Sequence, residues 1–371
     1  MERHALTKPA IGVGPATIAS VLCGAHAQVL GAAELSIGRR LAGATRADVR
    51  HALWTDRTLI KTFGPRGTVH LLATHDLPTW TGALSALPSS VPRDPDPVLF
   101  SSAQADEVIA AIGDALADAE RTVDELTEEI RKRTGPWAVE RTMDAFQTKW
   151  PRWRQLTSTA AHRGVLCFGP DRGRNVTYTN PHRWLPGFQP EKGDEALRTL
   201  VTRYLYAYGP ATPNHFARWL AIPLRRSVEL FDGMAADLES VEVDGERMWV
   251  LAADTATSAP QTGLRLLPYF DAYVVAGQPR DRLYPGSAAT RALTPTGQAG
   301  NYPVVLIDGV VGGVWHQRRA GRKVTTITVE PLQALTRTQR RELDDEVHLV
   351  AAVMETEATL RVGRVTVGPH A

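Results

Sequence analysis

The stretch TLIKTFGPRGTVHLL, residues 58–72, places two β-prone runs on either side of Gly64-Pro65-Arg66-Gly67. Glycine and proline favour tight turns, so this pattern predicts a β-hairpin with strands at 59–63 and 68–72. The preceding segment predicts helices, because residues 17–30 have helical apolar spacing and Thr45 is a favourable N-cap. Helices followed by a hairpin are the outline of a winged helix.

The same outline is repeated further along the chain. Helices are predicted at 103–119 and 137–163, and the hairpin that follows carries Arg172 and Arg174 at its turn. A third unit opens near Asp194 with helices and closes on a hairpin, residues 238–252, whose Asp-Gly turn is a strong signal. No close sequence identity links the three units, so the predicted repeat is one of architecture.

Beyond residue 263 the sequence becomes rich in β-prone runs. Four segments alternate or run apolar, and one amphipathic helix is predicted at 338–354. This pattern of β-prone runs and one helix predicts a small barrel or sandwich that carries a single helix.

Composition excludes several classes of protein. The chain has 371 residues, of which 43% are apolar and 22% charged, which rules out a largely disordered or collagen-like chain. No run approaches the ~18 apolar residues of a membrane helix, and the N-terminus lacks a signal pattern, so we expect a cytoplasmic protein without a membrane partner. Two cysteines are too few for a disulfide framework or a cysteine-based zinc site.

Charge is distributed unevenly although the net charge is only +2. Basic side chains dominate residues 1–75, 147–185 and 309–324, whereas acids dominate 94–130. If the three basic blocks faced one groove, they would steer and hold a polyanion through phosphate contacts. The alternative is that each block is a solvated face with no partner.

Five segments, found in order over nearly the whole chain, resemble the AlkZ/YcaQ-type winged-helix DNA glycosylases. They are RGTVH at 66–70, GVLCFGPDRGR at 164–174, YGPATPNHFARWL at 208–220, LLPYFDAYVVAG at 266–277 and GVVGGVWHQRR at 309–319.

The resemblance implies an α+β chain in which about three tandem winged-helix modules are arranged around a C-terminal β-barrel-like domain. We predict the divisions 1–90, which includes the catalytic segment, 98–186, 190–262 and 263–371. It also implies excision of bulky or crosslinked alkylpurines from double-stranded DNA, with no metal and no redox cofactor. Several members of the family protect antibiotic-producing bacteria from their own DNA-alkylating metabolites. We expect a monomer that associates with the nucleoid when bound to DNA.

The family's catalytic pattern is Gln–apolar–Gln or Gln–apolar–Asp. The matching segment here, CGAHAQVLG at 23–31, keeps the second glutamine as Gln28 and has His26 in place of the first. We expect His26 to act as general base or as a polarising partner, and Gln28 to position water. Residues i and i+2 diverge on a regular helix, so the pair should lie at a helix end or kink. The alternative is a partly buried histidine beside a surface glutamine.

Further candidates come from the basic blocks. Phosphate contacts are predicted for side chains near the catalytic segment, on the first two wings and in the hairpin of the C-terminal domain: Arg39, Arg40, Arg66, His70, Arg172, Arg174, Arg318, Arg319 and Arg322. For Arg66 and His70, hairpin stabilisation is the competing interpretation. Asp271 is interpreted as a buried carboxylate bonded to backbone or to an arginine, with Arg282 as the suggested partner.

Three functions remain open from the sequence. The first is a monofunctional glycosylase for bulky N7-alkylguanine or interstrand crosslinks. We expect it to be monofunctional because no lysine stands beside the candidate pair to form a Schiff base: the nearest, Lys8 and Lys61, are distant in sequence. The second is a winged-helix regulator without chemistry. The third is a protein that sequesters a drug or covers its adduct.

Overall fold

The computed structural model describes residues 1–87, 100–144, 148–254, 261–320 and 324–368. Within these residues it is an α+β protein, as predicted. Its α-helices are α1 Pro15–Val21, α2 Leu30–Gly38, α3 Arg46–Trp54, α4 Leu77–Ser85, α5 Ser102–Leu116, α6 Val123–Thr134, α7 Thr157–His162, α8 Gly193–Tyr208, α9 Pro213–Leu220, α10 Leu224–Asp232, α11 Ala272–Ala276, α12 Arg280–Leu283, α13 Ser287–Ala292 and α14 Arg337–Val353. Its strands are β1 Ala25–His26, β2 Leu59–Phe63, β3 Val69–Ala73, β4 Arg121–Thr122, β5 Arg141–Asp144, β6 Lys149–Pro151, β7 Cys167–Arg172, β8 Asn175–Thr179, β9 Leu238–Val243, β10 Glu246–Leu251, β11 Leu264–Leu267, β12 Val304–Ile307, β13 Val310–Ala320, β14 Val324–Pro331 and β15 Glu357–Val362.

The chain divides into two compact units. The composite unit joins Met1–Leu59 to Val201–Ala371, and the central unit is Ile60–Leu200. Among the described residues, none of the helices has the length and apolar character that crossing a bilayer requires.

A curled, half-barrel sheet dominates the composite unit. Its strand order is β11-β12-β13-β14-β15, and every neighbouring pair is antiparallel except β14 with β15, which is parallel. The predicted helix near 338–354 is confirmed as α14, which lies between these two parallel strands in sequence. A parallel pair needs such a crossover, because a tight turn can only reverse the chain.

Both faces of this sheet are buried at β12. Alternation along β12 sends Val304 and Leu306 into one apolar cluster and Val305 into the other, as the period of a strand requires. The Val305 cluster also contains Leu35 of α2 and Val353 of α14. Helix α2, which follows the segment that carries His26 and Gln28, therefore packs into the same core as the sheet and α14.

The third predicted hairpin is confirmed in the composite unit. Strands β9 and β10 pair antiparallel from Leu238↔Leu251 to Val243↔Glu246, and both turn residues, Asp244 and Gly245, have positive φ. That backbone is the one that Asp-Gly turns supply.

The central unit contains the other two predicted hairpins. Strands β2 and β3 flank the Gly64–Gly67 turn, and β7 and β8 flank a two-residue turn at Gly173 and Arg174. Buried apolar side chains of α5, α6 and β7, with Trp153, form the core beneath the second hairpin.

Three local predictions are wrong. The helix predicted at 137–163 is instead the β5–β6 pair followed by a 3₁₀ turn and the short helix α7. Residues 266–277, which lie in the first of the β-prone segments predicted beyond residue 263, leave the strand after Leu267 and form α11. The helix predicted at 17–30 breaks at Cys23 and Gly24, whose φ angles of 52° and 97° no right-handed helix accepts.

Candidate active site

The segment that carries His26 and Gln28 lies between two helices. Helix α1 ends at Val21, the chain is extended in β1, and α2 begins at Leu30. The prediction that this pair does not lie on a regular helix is therefore confirmed. Strand β1 covers only Ala25 and His26, and Gln28 lies at the bend that precedes α2, so neither candidate side chain is held on the surface of a helix.

The two side chains differ in exposure. His26 is 8% exposed, whereas Gln28 is exposed at the bend that precedes α2. The imidazole of His26 lies over the ring of Phe270, with 4.3 Å between centroids and 30° between planes. The site thus combines a largely buried imidazole, covered on one face by an aromatic ring, with an amide that reaches solvent.

The loop that carries Phe270 has a demanding backbone. Phe270 has a φ of 52°, which few residues with a Cβ adopt, and its N–H donates to the Gly300 carbonyl at 3.0 Å. Gly300 itself has a φ of 96°, and a Cβ there would lie 2.9 Å from Cδ1 of Phe270. A glycine is therefore required beside the ring that covers His26.

Asp271, the next residue, is fully buried and makes four hydrogen bonds. Its Oδ1 accepts from Arg40 Nη2 at 2.7 Å and from the Tyr273 N–H at 3.1 Å. Its Oδ2 accepts from Arg40 Nη1 at 2.9 Å and from Ser36 Oγ at 2.7 Å. Burial would raise the pKa of Asp271, but the charge and hydrogen bonds of Arg40, with those of the other donors, hold it below its usual value. The carboxylate is therefore charged, and its internal partners occupy it.

The expectation of a buried, arginine-paired Asp271 is confirmed, but the suggested partner is wrong. Arg40 binds it, whereas Arg282 forms an ion pair with Asp244 at the β9–β10 turn. Sequence distance explains the error, because Arg40 and Asp271 are 231 residues apart.

Arg39 and Arg40 are not placed to contact phosphate. Arg39 is 2% exposed and Arg40 is fully buried, in ion pairs of 2.7 Å with Glu346 and Asp271 respectively. Burial lowers the pKa of Arg39, and Glu346 opposes that shift. Glu346 also accepts from the Leu266 N–H at 2.8 Å. The two arginines therefore join α2 to β11, α14 and the Asp271 loop, which corrects the expectation of DNA contacts at these positions.

In the first hairpin, which lies in the central unit, His70 is placed to stabilise the hairpin rather than to contact DNA. His70 is 4% exposed, and its Nδ1 lies 2.8 Å from the Thr68 carbonyl. A ring with so little exposed surface is poorly placed for phosphate. Arg66 is half-buried at the turn, with a φ of 60°.

The second hairpin of the central unit presents its two arginines differently. Arg172 is exposed but forms an ion pair with Glu125 at 2.7 Å, and its Nη2 donates to the Glu120 carbonyl at 2.6 Å. Arg174 is exposed at the turn itself. A phosphate would have to compete with Glu125 for Arg172.

The hairpin of the C-terminal sheet is described in part. Arg318 is exposed near the end of β13, opposite Thr326, and Arg319 pairs with Thr325 in the same ladder. Arg322 lies outside the described residues. In the described part of the chain, no group of three or more His, Cys, Asp or Glu side chains could hold a metal ion.

Comparison with known proteins gives a consistent result. A family model described as DNA glycosylase AlkZ-like matches residues 19–353. An interstrand DNA cross-link repair glycosylase from Streptomyces sahachiroi is 32% identical over 340 residues, which is 85% of each chain. The solved structure of Streptomyces sahachiroi DNA glycosylase AlkZ superposes with a TM-score of 0.83 at 28% identity, covering 98% of this chain and 97% of that one. The resemblance inferred from the five segments is confirmed, and this chain belongs to the AlkZ-like DNA glycosylase family.

Proposed function

We propose that this chain is a monofunctional DNA glycosylase that hydrolyses the N-glycosidic bond of bulky N7-alkylguanine adducts and of interstrand crosslinks. The printed name of the Streptomyces sahachiroi relative, an interstrand DNA cross-link repair glycosylase, supports the crosslink as substrate. We further propose that the enzyme acts as a monomer at the nucleoid and protects its host against a DNA-alkylating natural product.

The protein has to lower only part of the barrier to glycosidic cleavage, because the lesion is already activated. Alkylation at N7 makes guanine cationic, so the C1′–N9 bond breaks readily and the base leaves as neutral N7-alkylguanine. A water molecule forms the new bond to C1′ and gives up one proton. The protein has to place that water and accept that proton.

His26 and Gln28 are suited to divide this work. A neutral imidazole can accept the proton, whereas an amide can orient the water by donating and accepting hydrogen bonds but is a poor base. The observation that supports the assignment is that α1 ends before this pair, which leaves His26 in the two-residue strand β1 and Gln28 exposed at the bend before α2. His26 acts as general base in this scheme, and Gln28 holds the water.

DNA binding is proposed for basic side chains of the hairpins. They are Arg66, Arg172, Arg174, Arg318, Arg319 and Arg322. Of these, Arg172, Arg174 and Arg318 are exposed and Arg66 is half-buried. We propose that the three hairpins predicted as wings belong to winged-helix modules within the divisions 1–90, 98–186 and 190–262, and that 263–371 is the barrel-like domain around which they are arranged. Contacts to phosphate would position the duplex without reading its sequence, as a lesion-specific enzyme requires.

Replacing Arg174 with alanine is expected to weaken binding to any duplex and to lower the slope of log K against log salt by about 1. Arg174 is exposed at its turn, whereas the matched variant Arg172→Ala removes a side chain already paired with Glu125 and should have the smaller effect. Fluorescence anisotropy over a salt series measures both. An unchanged slope for Arg174→Ala would remove this residue from the interface.

Three assays run side by side test the proposed function. DNA carrying one N7-alkylguanine adduct is incubated with the protein and treated with alkali, which cleaves wherever a base has been lost. Strand cleavage at the adduct is the expected result. A gel shift that prefers one undamaged sequence, without cleavage, would indicate a regulator. Spectroscopic binding of the free alkylating drug, again without cleavage, would indicate sequestration.

A further inference from the structure

The ring of Phe270 covers one face of the proposed general base. The two rings are nearly parallel, 30° apart, with 4.3 Å between their centroids, and His26 is only 8% exposed. A water molecule can therefore approach the imidazole only through its edge or its other face. The ring also removes rotational freedom from His26, because a rotated imidazole would collide with it or lose the contact.

Two features fix Phe270 itself. Its N–H donates to the Gly300 carbonyl, and Gly300 leaves room for the ring only because it has no Cβ. The left-handed φ of 52° at Phe270 persists because the surrounding contacts determine it. The position of this ring is thus imposed by the loop and does not follow from local preference.

The loop is tied to the helix that follows the catalytic segment. Asp271 accepts two hydrogen bonds from Arg40 and a third from Ser36; Ser36 lies in the last turn of α2 and Arg40 two residues beyond its end. The N-terminal end of α2 begins at Leu30, two residues after Gln28. One helix therefore anchors the catalytic pair at one end and, through Asp271, the aromatic cover at the other.

We propose that Phe270 is a positioning residue for the glycosidic hydrolysis, and that its stacked ring holds the imidazole of His26 in the plane from which it reaches the water held by Gln28. The inference rests on the function proposed above. The Arg40–Asp271 pair contributes indirectly, by fixing the loop from which Phe270 projects. The competing explanation is that Phe270 only fills space.

The test compares Phe270→Leu, which keeps an apolar side chain without the flat ring, with Phe270→Tyr, which keeps the ring. Single-turnover excision is measured at saturating enzyme, together with DNA affinity and thermal melting. Misplacement of a catalytic group by about 1 Å can cost on the order of 100-fold. We expect Phe270→Leu to slow excision by 10- to 100-fold with affinity within about twofold of wild type, and Phe270→Tyr to retain most of the rate. Tyr206→Leu, which removes an exposed ring stacked under Arg3 in the same unit, is the control and should cleave as wild type.

The same substitution in a His26→Ala background separates positioning from packing. Once the imidazole is gone, Phe270→Leu should slow the residual reaction by no more than about twofold, because coupled residues are not additive. Wild-type rates in Phe270→Leu, equal losses in both backgrounds, or loss of cooperative melting would each overturn the proposal. If wild type itself does not excise the adduct, the proposed function fails first, so the two failures are distinguishable.

Discussion

Replacing His26 with alanine is expected to slow excision of an N7-alkylguanine adduct by on the order of 10²–10⁴-fold, the usual contribution of a general base. The variant still presents Gln28 to the water, but nothing at that position accepts the proton. Because the adduct leaves as a neutral base, part of the barrier is lowered without the enzyme, which favours the lower half of this range. Single-turnover cleavage at saturating enzyme measures the effect.

Two further variants make the assignment specific. Gln28→Ala should slow the same step, with DNA affinity close to wild type. His26→Gln creates the Gln-Ala-Gln pattern of the family and should retain more activity than His26→Ala, because an amide can still orient water. Unchanged turnover in both alanine variants would remove the pair from the mechanism and leave a protein that binds DNA without cleaving a bond.

Features decided by neighbours in sequence were predictable. The Asp244-Gly245 turn, the hairpin at Gly64–Gly67 and the helix after Thr45 all form as predicted, because turn geometry and capping depend on a few adjacent residues. Apolar spacing alone missed the break at Cys23 and Gly24, whereas the catalytic hypothesis required the pair to lie at a helix end or kink, since residues i and i+2 diverge on a regular helix.

Features decided by distant partners were not predictable. Arg39 and Arg40 belong to a basic block in sequence, yet Glu346 and Asp271, more than 230 residues away, neutralise them in the core. The one available signal was Asp271 itself, an acid within an apolar run, which requires a buried cation somewhere. Phe270 gave no signal, because its contact with His26 depends on a left-handed backbone that its side chain does not favour.

Removing the carboxylate of Asp271 is expected to have the largest effect on stability. Asp271→Ala leaves the Arg40 guanidinium buried without its counter-charge and also removes the acceptor of the Ser36 hydroxyl and the Tyr273 N–H. Breaking a buried pair from one side typically costs about 3–5 kcal/mol. Denaturant unfolding followed by circular dichroism measures the loss. Arg225→Ala, which breaks an exposed pair with Glu229 in the same unit, is the control and should cost no more than about 0.5 kcal/mol.

Two further measurements separate the contribution of the Asp271 charge to stability from the contribution of its shape. The double variant Arg40→Met with Asp271→Asn removes both charges and should recover much of the loss in free energy of unfolding, because no unpaired buried ion remains.

The pH dependence of this stabilisation has a definite sign. The folded pKa of Asp271 lies below its unfolded value of about 3.9, so its stabilisation is present above that pH and is lost as the pH falls through the folded pKa. The free energy of unfolding that Asp271→Asn loses relative to wild type should therefore become smaller below about pH 4. If the loss in free energy of unfolding stays constant from neutral to acidic pH, packing and not the ion pair holds the loop that places Phe270 against His26.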